Sequence, residues 1–193
     1  GGRRRRLGVP GEDDFDGKGV AYCSTCDAPL FSGKDVAVVG TGNAGLEACI
    51  DLFPYANKVY LLNRGDNING DEMSRDIVLE NGKVEYKEFT QIKEVKGEML
   101  VNKIILEDTK TQEESELEVQ GVFVEIGSIP NSEIVKNLVE TNERGEIIVD
   151  MMKFTTSAPG IFAAGDVTQQ IYKQNNISAG NAVSATLTIN DYI

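Results

Sequence analysis

Histidine is absent from the 193 residues. That excludes Ser-His-Asp and Cys-His catalysis, histidine general bases and every histidine-ligated metal site. Cysteine is scarce and odd in number: Cys23, Cys26 and Cys49. A secreted, disulfide-framed fold wants more cysteines in even number, so a reducing cytoplasm is the expected setting. No apolar run approaches the roughly 20 residues that a membrane span needs, and no secretory signal stands at the start. Positive charge is also short. Lys and Arg number 19 against 31 Asp and Glu, a net charge of −12. Such a chain repels phosphate backbones, and the lone basic cluster Arg3-Arg4-Arg5-Arg6 is too short to reverse this. Neither nucleic acid nor membrane is an expected partner. Hydrophobic residues at 40% are enough for a buried core.

The pattern predicts an α/β fold. Residues 1–19 are rich in Gly, Pro and Asp, and Gly8 to Asp14 reads as irregular chain. Lys34 to Val39 reads as a buried parallel strand, Leu46 to Leu52 as helix ended by Pro54, and Lys58 to Leu62 as a second strand. Asp71 to Glu80 reads as helix closed by Asn81-Gly82. From Val84 to Ile126 short strands alternate with polar turns, with a hairpin tip at Lys110 to Glu113. Gly127 to Asn131 reads as a break, Ser132 to Leu138 as a short helix, Glu146 to Asp150 and Ile161 to Ala164 as strands, and Ala179 to Tyr192 as a final helix. No internal repeat is visible.

Two motifs carry chemistry. Gly40-Thr41-Gly42-Asn43-Ala44-Gly45 is a Gly-x-Gly-x-x-Gly in its required context, after a strand and before a helix. Gly40 permits the tight turn, Gly42 lets backbone amides approach a pyrophosphate, and Gly45 lets helix and strand pack closely. Asn43 and Ala44 open the helix whose N-terminus favours phosphate. At the end of the second strand an acid would select NAD, and Arg the 2′-phosphate of NADP. That position holds Asn63-Arg64, with Arg64 either a phosphate ligand or a solvated charge, so NADH and NADPH both stay open.

The second motif is Cys23-Ser24-Thr25-Cys26. It can be a reducible disulfide, a half-set of zinc ligands or a pair of inert thiols. Zinc lacks the remaining ligands, because only Cys49 is left and it suits a core position. Asp27 is either a proton donor to a departing thiolate or a turn residue.

Cys23 to Asp27, Ser32 to Gly45, and Thr155 to Val167 with its Ala163-Ala164-Gly165-Asp166 together resemble low-molecular-weight thioredoxin reductases. They are almost equally similar to the flavoprotein subunit of alkyl hydroperoxide reductase. The resemblance implies a Rossmann-like FAD/NAD(P)-binding fold of the pyridine nucleotide–disulfide oxidoreductases. It implies residues 10–127 as an NAD(P)H domain carrying the redox pair, 128–193 as the C-terminal segment of an FAD domain, and 1–9 as the end of an N-terminal FAD segment. Cys26 is then the sulfur nearer the flavin, Cys23 the thiol that attacks a partner, and Asp27 the proton donor. Gly165, Asp166 and Gln174 are implied at the FAD, Gly127 and Lys173 as further cofactor-binding residues, and the stretches Gly8 to Gly11 and Gly127 to Pro130 as hinges. The implied partner is a thioredoxin-like or peroxiredoxin-system protein with a redox disulfide, and the implied assembly a homodimer.

The chain departs from that family in lacking its first Gly-rich strand–turn–helix. A half-complete FAD site is therefore expected, with weak FAD retention, and a non-catalytic nucleotide-binding module is the alternative. Asn63-Arg64-Gly65 stands where NADPH-preferring members carry His-Arg-Arg. Tyr172-Lys173-Gln174 and the ending Ile189 to Ile193 lean toward the flavoprotein of the hydroperoxide reductase, and Thr25 toward thioredoxin reductase.

Overall fold

The computed structural model describes residues 1–193. In chain order its elements are β1 (Gly2–Arg4), β2 (Val20–Ala21), α1 (Ser24–Asp27), β3 (Asp35–Val39), α2 (Asn43–Leu52), β4 (Lys58–Leu62) and α3 (Glu72–Glu80). There follow β5 (Val84–Lys87), β6 (Thr90–Gly97), β7 (Val101–Asp108), β8 (Glu114–Glu118), β9 (Gly121–Val124), β10 (Ser128–Pro130) and α4 (Asn175–Tyr192). The chain divides into two compact units, Arg5–Gly127 and Gly1–Arg4 with Ser128–Ile193.

The larger unit has three layers. A parallel sheet in the order β2-β9-β3-β4-β5 lies between helices and an antiparallel sheet β6-β7-β8. The alternation of side chains along β3 decides the layering. Val36 and Val38 enter the cluster that holds Leu46, Cys49 and Leu52 of α2. Ala37 and Val39 face the other way, into a cluster with Ile92, Val95, Ile104 and Leu106 of the antiparallel sheet. Because both faces are covered, β3 and β9 read as unbroken apolar runs. α3 starts where the Asp71 side chain accepts from the Ser74 amide, a 2.9 Å bond that holds the Asp71 carboxyl below its ordinary value.

The stretch before Cys23 is more ordered than its composition predicts. The buried Glu12 carboxylate accepts from the Leu7 and Gly8 amides and from the Tyr22 hydroxyl, each at 2.8 Å. Burial and this acceptor push the Tyr22 hydroxyl well above its usual value. Gly11, at φ +83°, lies against Val95, whose carbonyl oxygen would stand 2.0 Å from any Cβ there. Gly8 to Gly11 therefore sits inside the larger unit, and the seam falls between Arg4 and Arg5.

The smaller unit corrects several sequence expectations. The expected break at Gly127 to Asn131 contains β10, which pairs antiparallel with β1, Arg3 opposite Ile129. The expected helix from Ser132 is only a 3-10 turn over Glu133–Val135, because Ile134 and Leu138 find no core and remain exposed. Glu146 to Asp150 and Ile161 to Ala164 are not ladder strands. Ile147 makes single bridges to Thr141 and Thr168, and Thr155 one to Phe162. In place of a neighbouring strand, the Gln169 side chain takes both the Val149 amide, at 2.9 Å, and the Val149 carbonyl, at 2.8 Å. The core of this unit is Val139, Ile147, Val149, Phe154 and Ala185. No helix is long and apolar enough to cross a membrane.

Phe123 is the largest fully buried side chain and meets Phe31 edge-on at 4.9 Å between ring centres. Replacing Phe123 with Ala should lower the stability of the larger unit by about 3–5 kcal/mol. Urea unfolding followed by circular dichroism measures this, and a loss below about 1 kcal/mol would contradict the packing described.

Candidate nucleotide turn and redox pair

The glycine turn joins β3 to α2, and each glycine meets a different constraint. Gly40 has φ +116°, and a Cβ on it would lie 2.4 Å from the Glu125 carbonyl oxygen. A Cβ on Gly45 would lie 1.9 Å from the Gly40 carbonyl oxygen, so the helix rests directly on the turn. Gly42 differs. It is the N-cap of α2 with extended backbone, and a Cβ there would meet nothing within 4 Å. Open space therefore lies where amides at the helix start face outward, with Asn43 and Ala44 exposed beside it. This is the shape a dinucleotide pyrophosphate requires.

The loop after β4 closes over this turn. Asn69 and Gly70 amides donate to the Thr41 carbonyl at 2.9 and 3.0 Å, and the Asn43 side chain accepts from the Asp71 amide at 2.8 Å. Asn63 is fully committed. Its amide nitrogen donates to the Asn67 carbonyl and the Tyr86 hydroxyl, at 3.0 and 2.9 Å, and its oxygen accepts from the Gly65 amide. Arg64 is exposed, and its carbonyl accepts from the Thr109 hydroxyl at 3.0 Å.

Cys23 follows β2 and caps α1, and Cys23 and Cys26 are joined as a disulfide. Cys26 is exposed and Cys23 half-buried. Asp27 ends α1, and its side chain makes no capping bond to the 3-10 turn that follows, which leaves the carboxylate uncommitted beside the pair. Cys49 is fully buried, and burial pushes its thiol up to about 12. Sequence reasoning missed Asp51. From the last turn of α2 its carboxylate accepts from the Ser24 and Thr25 hydroxyls at 2.8 and 3.1 Å. Its only sequence signal is an acid at the unfavourable end of a helix dipole.

In the smaller unit Gly165 has φ +76° and packs on Ser178, whose hydroxyl donates to Asp166 at 2.8 Å. Lys173 donates to the Asp166 and Thr168 carbonyls at 3.1 and 2.6 Å and pairs with Glu146 at 2.9 Å. Burial alone would raise the Glu146 carboxyl, but the bonds from Lys173 and Asn142 outweigh it and hold the group low. Lys173 thus braces the loop that presents Asp166. Gln174 is the exposed N-cap of α4, and Gly127, at φ +92°, is exposed at the end of the larger unit. Ser178 and Glu146 were also missed, since only the fold brings them to Asp166 and Lys173.

A cavity of about 470 Å³ lies on the antiparallel sheet, lined in part by Pro10, Lys93, Glu94 and Ile105. None of its lining residues belongs to the turn or the pair. Lys93 in it is already held by Glu107 and Glu114.

The pyridine nucleotide-disulphide oxidoreductase family model matches residues 1–184. The chain belongs to this family. It is 47% identical over 193 residues to an NADH dehydrogenase of Bacillus subtilis (strain 168), matching all of this chain and 38% of that protein. It is 46% identical to the F subunit of alkyl hydroperoxide reductase from Staphylococcus aureus (strain MRSA252), over 98% of this chain and 37% of that one. Among solved structures, thioredoxin reductase from Streptococcus pyogenes MGAS5005 superposes with a TM-score of 0.83 at 35% identity. That match covers all of this chain and 63% of the other. The chain thus spans less than two thirds of each of these relatives, and its fold is the mixed α/β fold of the family with a parallel sheet.

Two measurements check the site geometry. Gly45→Ala should destabilise the larger unit by about 1–3 kcal/mol through overpacking, whereas Gly42→Ala, with open space around it, should leave the melting temperature nearly unchanged and weaken nucleotide binding. Equal destabilisation by both would refute the assignment of separate roles. In native protein, thiol counting should find one slow thiol, Cys49, and two fast ones more after mild reduction. Tightly bound zinc on Cys23 and Cys26 would contradict this.

Proposed function

We propose that the protein this chain represents carries two electrons from NAD(P)H to the Cys23–Cys26 disulfide and on to a disulfide of a partner protein. The observation that carries this reading is the disulfide and the dinucleotide turn on one α/β unit, linked by the same helix α2. The Gly40–Gly45 turn and the start of α2 would hold the nucleotide pyrophosphate. Gly165, Asp166 and Gln174 would hold FAD, with Ser178 and Lys173 fixing the loop, and the tight glycine at Gly165 beside Asp166 suits a close approach. A bound flavin supplies the exchange between a two-electron hydride donor and a disulfide acceptor.

The chemistry assigned to the chain's own residues balances. The S–S bond takes two electrons and two protons and becomes the Cys23 and Cys26 thiols. Cys23 passes its proton to the Asp27 carboxylate and, as thiolate, attacks the partner disulfide, forming a mixed disulfide and expelling one partner thiolate, to which Asp27 returns the proton. Cys26 then attacks Cys23, restores the intramolecular disulfide and releases the second partner thiol. Such cycling fits a reducing cytoplasm, and a homodimer is the assembly the reading carries.

Similarity to the hydroperoxide reductase flavoprotein favours a second acceptor, a peroxiredoxin-system protein, over thioredoxin. Supplying the full-length protein with each acceptor in turn and following NAD(P)H absorbance separates the two. Cys23→Ser and Cys26→Ser should each abolish reduction of the preferred acceptor. Turnover of that acceptor at the unaltered rate would refute the relay.

Nucleotide choice follows from Asn63 and Gly65. With the Asn63 amide already spent and no cation at 65, one charge-assisted contact to a 2′-phosphate is missing, typically about 1.5–3 kcal/mol or tenfold and more in affinity. NADH should bind as well as NADPH or better in titration. NADPH bound a hundredfold more tightly would overturn this.

A further inference from the structure

The turn that carries the redox pair has little support of its own. α1 is four residues long, its N-cap Cys23 makes no side-chain capping bond, and the Asp27 amide closes it on the Cys23 carbonyl at 3.1 Å. The Ala28 amide adds one bond to the Ser24 carbonyl, and the side-chain hold comes from outside. Both residues between the cysteines donate their hydroxyls to the same oxygen of Asp51, Ser24 at 2.8 Å and Thr25 at 3.1 Å. Ser24 is buried, so its hydroxyl needs that acceptor. Asp51 is itself a fixed post, because its neighbours Ala48, Cys49 and Leu52 are fully buried against the parallel sheet. A carboxylate in the last turn of a helix opposes the dipole, and α2 has no basic residue there to offset it. A local rule broken with no gain to the helix points to a role elsewhere.

We propose that Asp51 is a positioning residue for the redox pair, clamping the Ser24-Thr25 turn and biasing Cys23 and Cys26 toward the disulfide. The inference rests on the reading that this pair cycles between disulfide and dithiol. Reduction breaks the S–S bond and lets two thiols separate. A clamped turn limits that separation, keeps each thiol at high effective concentration for the other, and favours reclosure. A negative charge tied to the residues between the sulfurs also opposes thiolate formation on either. Both effects act in one direction.

The test uses the full chain and needs neither flavin nor nucleotide. Dithiothreitol gives two electrons and two protons to the pair and becomes its own cyclic disulfide, and the protein thiols are counted at each ratio of reduced to oxidised reagent. Asp51→Ala should shift the equilibrium about tenfold toward dithiol, a rise of about 30 mV in potential. The double variant S24A/T25A should give a similar shift. Combining all three changes should add nothing further, because they remove one interaction. Asp51→Asn keeps an acceptor and should restore part of the effect. An Asp51→Ala equilibrium within twofold of the unaltered chain would overturn the inference, as would additive shifts in the combined variant. S24A/T25A leaves α2 untouched and decides the matter alone if the Asp51 variants fold poorly. An unaltered chain whose pair takes up no reducing equivalents would refute the functional reading itself, and this inference with it.

Discussion

The approach of α2 to the turn beneath it governs the larger unit. Gly45 rests on the Gly40 carbonyl so closely that no side chain fits between them. That contact sets the height of the helix over the sheet. It places Leu46, Cys49 and Leu52 against Val36, Val38, Val59 and Leu61, and it aims the helix start at open space beside Gly42. At the other end the same helix brings Asp51 to the cysteine turn. One ten-residue helix therefore spaces the glycine turn from the cysteine turn. Its rigidity comes from burial along one face rather than from caps, since Gly42 offers none.

The second layer has a different logic. The antiparallel sheet covers the face of the parallel sheet that helices leave free, and Ala37, Val39, Leu62, Val122 and Val124 supply the surface it covers. Its outward face is charged and paired within itself, Lys93 with Glu107 and Glu114, Lys103 with Glu116. Such exposed pairs stabilise little but keep the outer face hydrated. The candidate nucleotide turn lies on other elements, at the carboxyl end of β3 and the start of α2. That is where open parallel sheets put their ligands, outside the carboxyl ends of the strands.

The smaller unit reaches order by polar contacts more than by ladders. Gln169 replaces a strand beside Val149, Ser132 donates to the Gly145 carbonyl at 2.6 Å, and Lys173 ties Glu146 to the loop of Asp166. Its apolar core is small, and α4 contributes only Ala185 as a buried side chain. Val183 and Leu187 of α4 are exposed.

Sequence alone determined the elements whose signal is local. The apolar run of β3, the glycine turn after it, the helix that begins at Asp71 and the Cys-x-x-Cys spacing each sit within a few residues, so their physics is legible without the fold. The resemblance carried by those motifs led to the family to which the chain belongs. Tertiary structure decided what depends on partners far along the chain. β1 exists because β10 pairs with it, and Glu146 to Asp150 fails as a ladder strand because Gln169, not a strand, lies beside it. Asn63 stands at the position where nucleotide choice is read, and its side chain is held by Tyr86 and Asn67. Asp51, within the stretch read simply as helix, holds a turn whose residues stand 27 and 26 positions earlier. A hydrogen bond over such a separation leaves little local pattern, because each partner alone can bond water instead, and its one trace is an acid at the unfavourable end of a helix dipole.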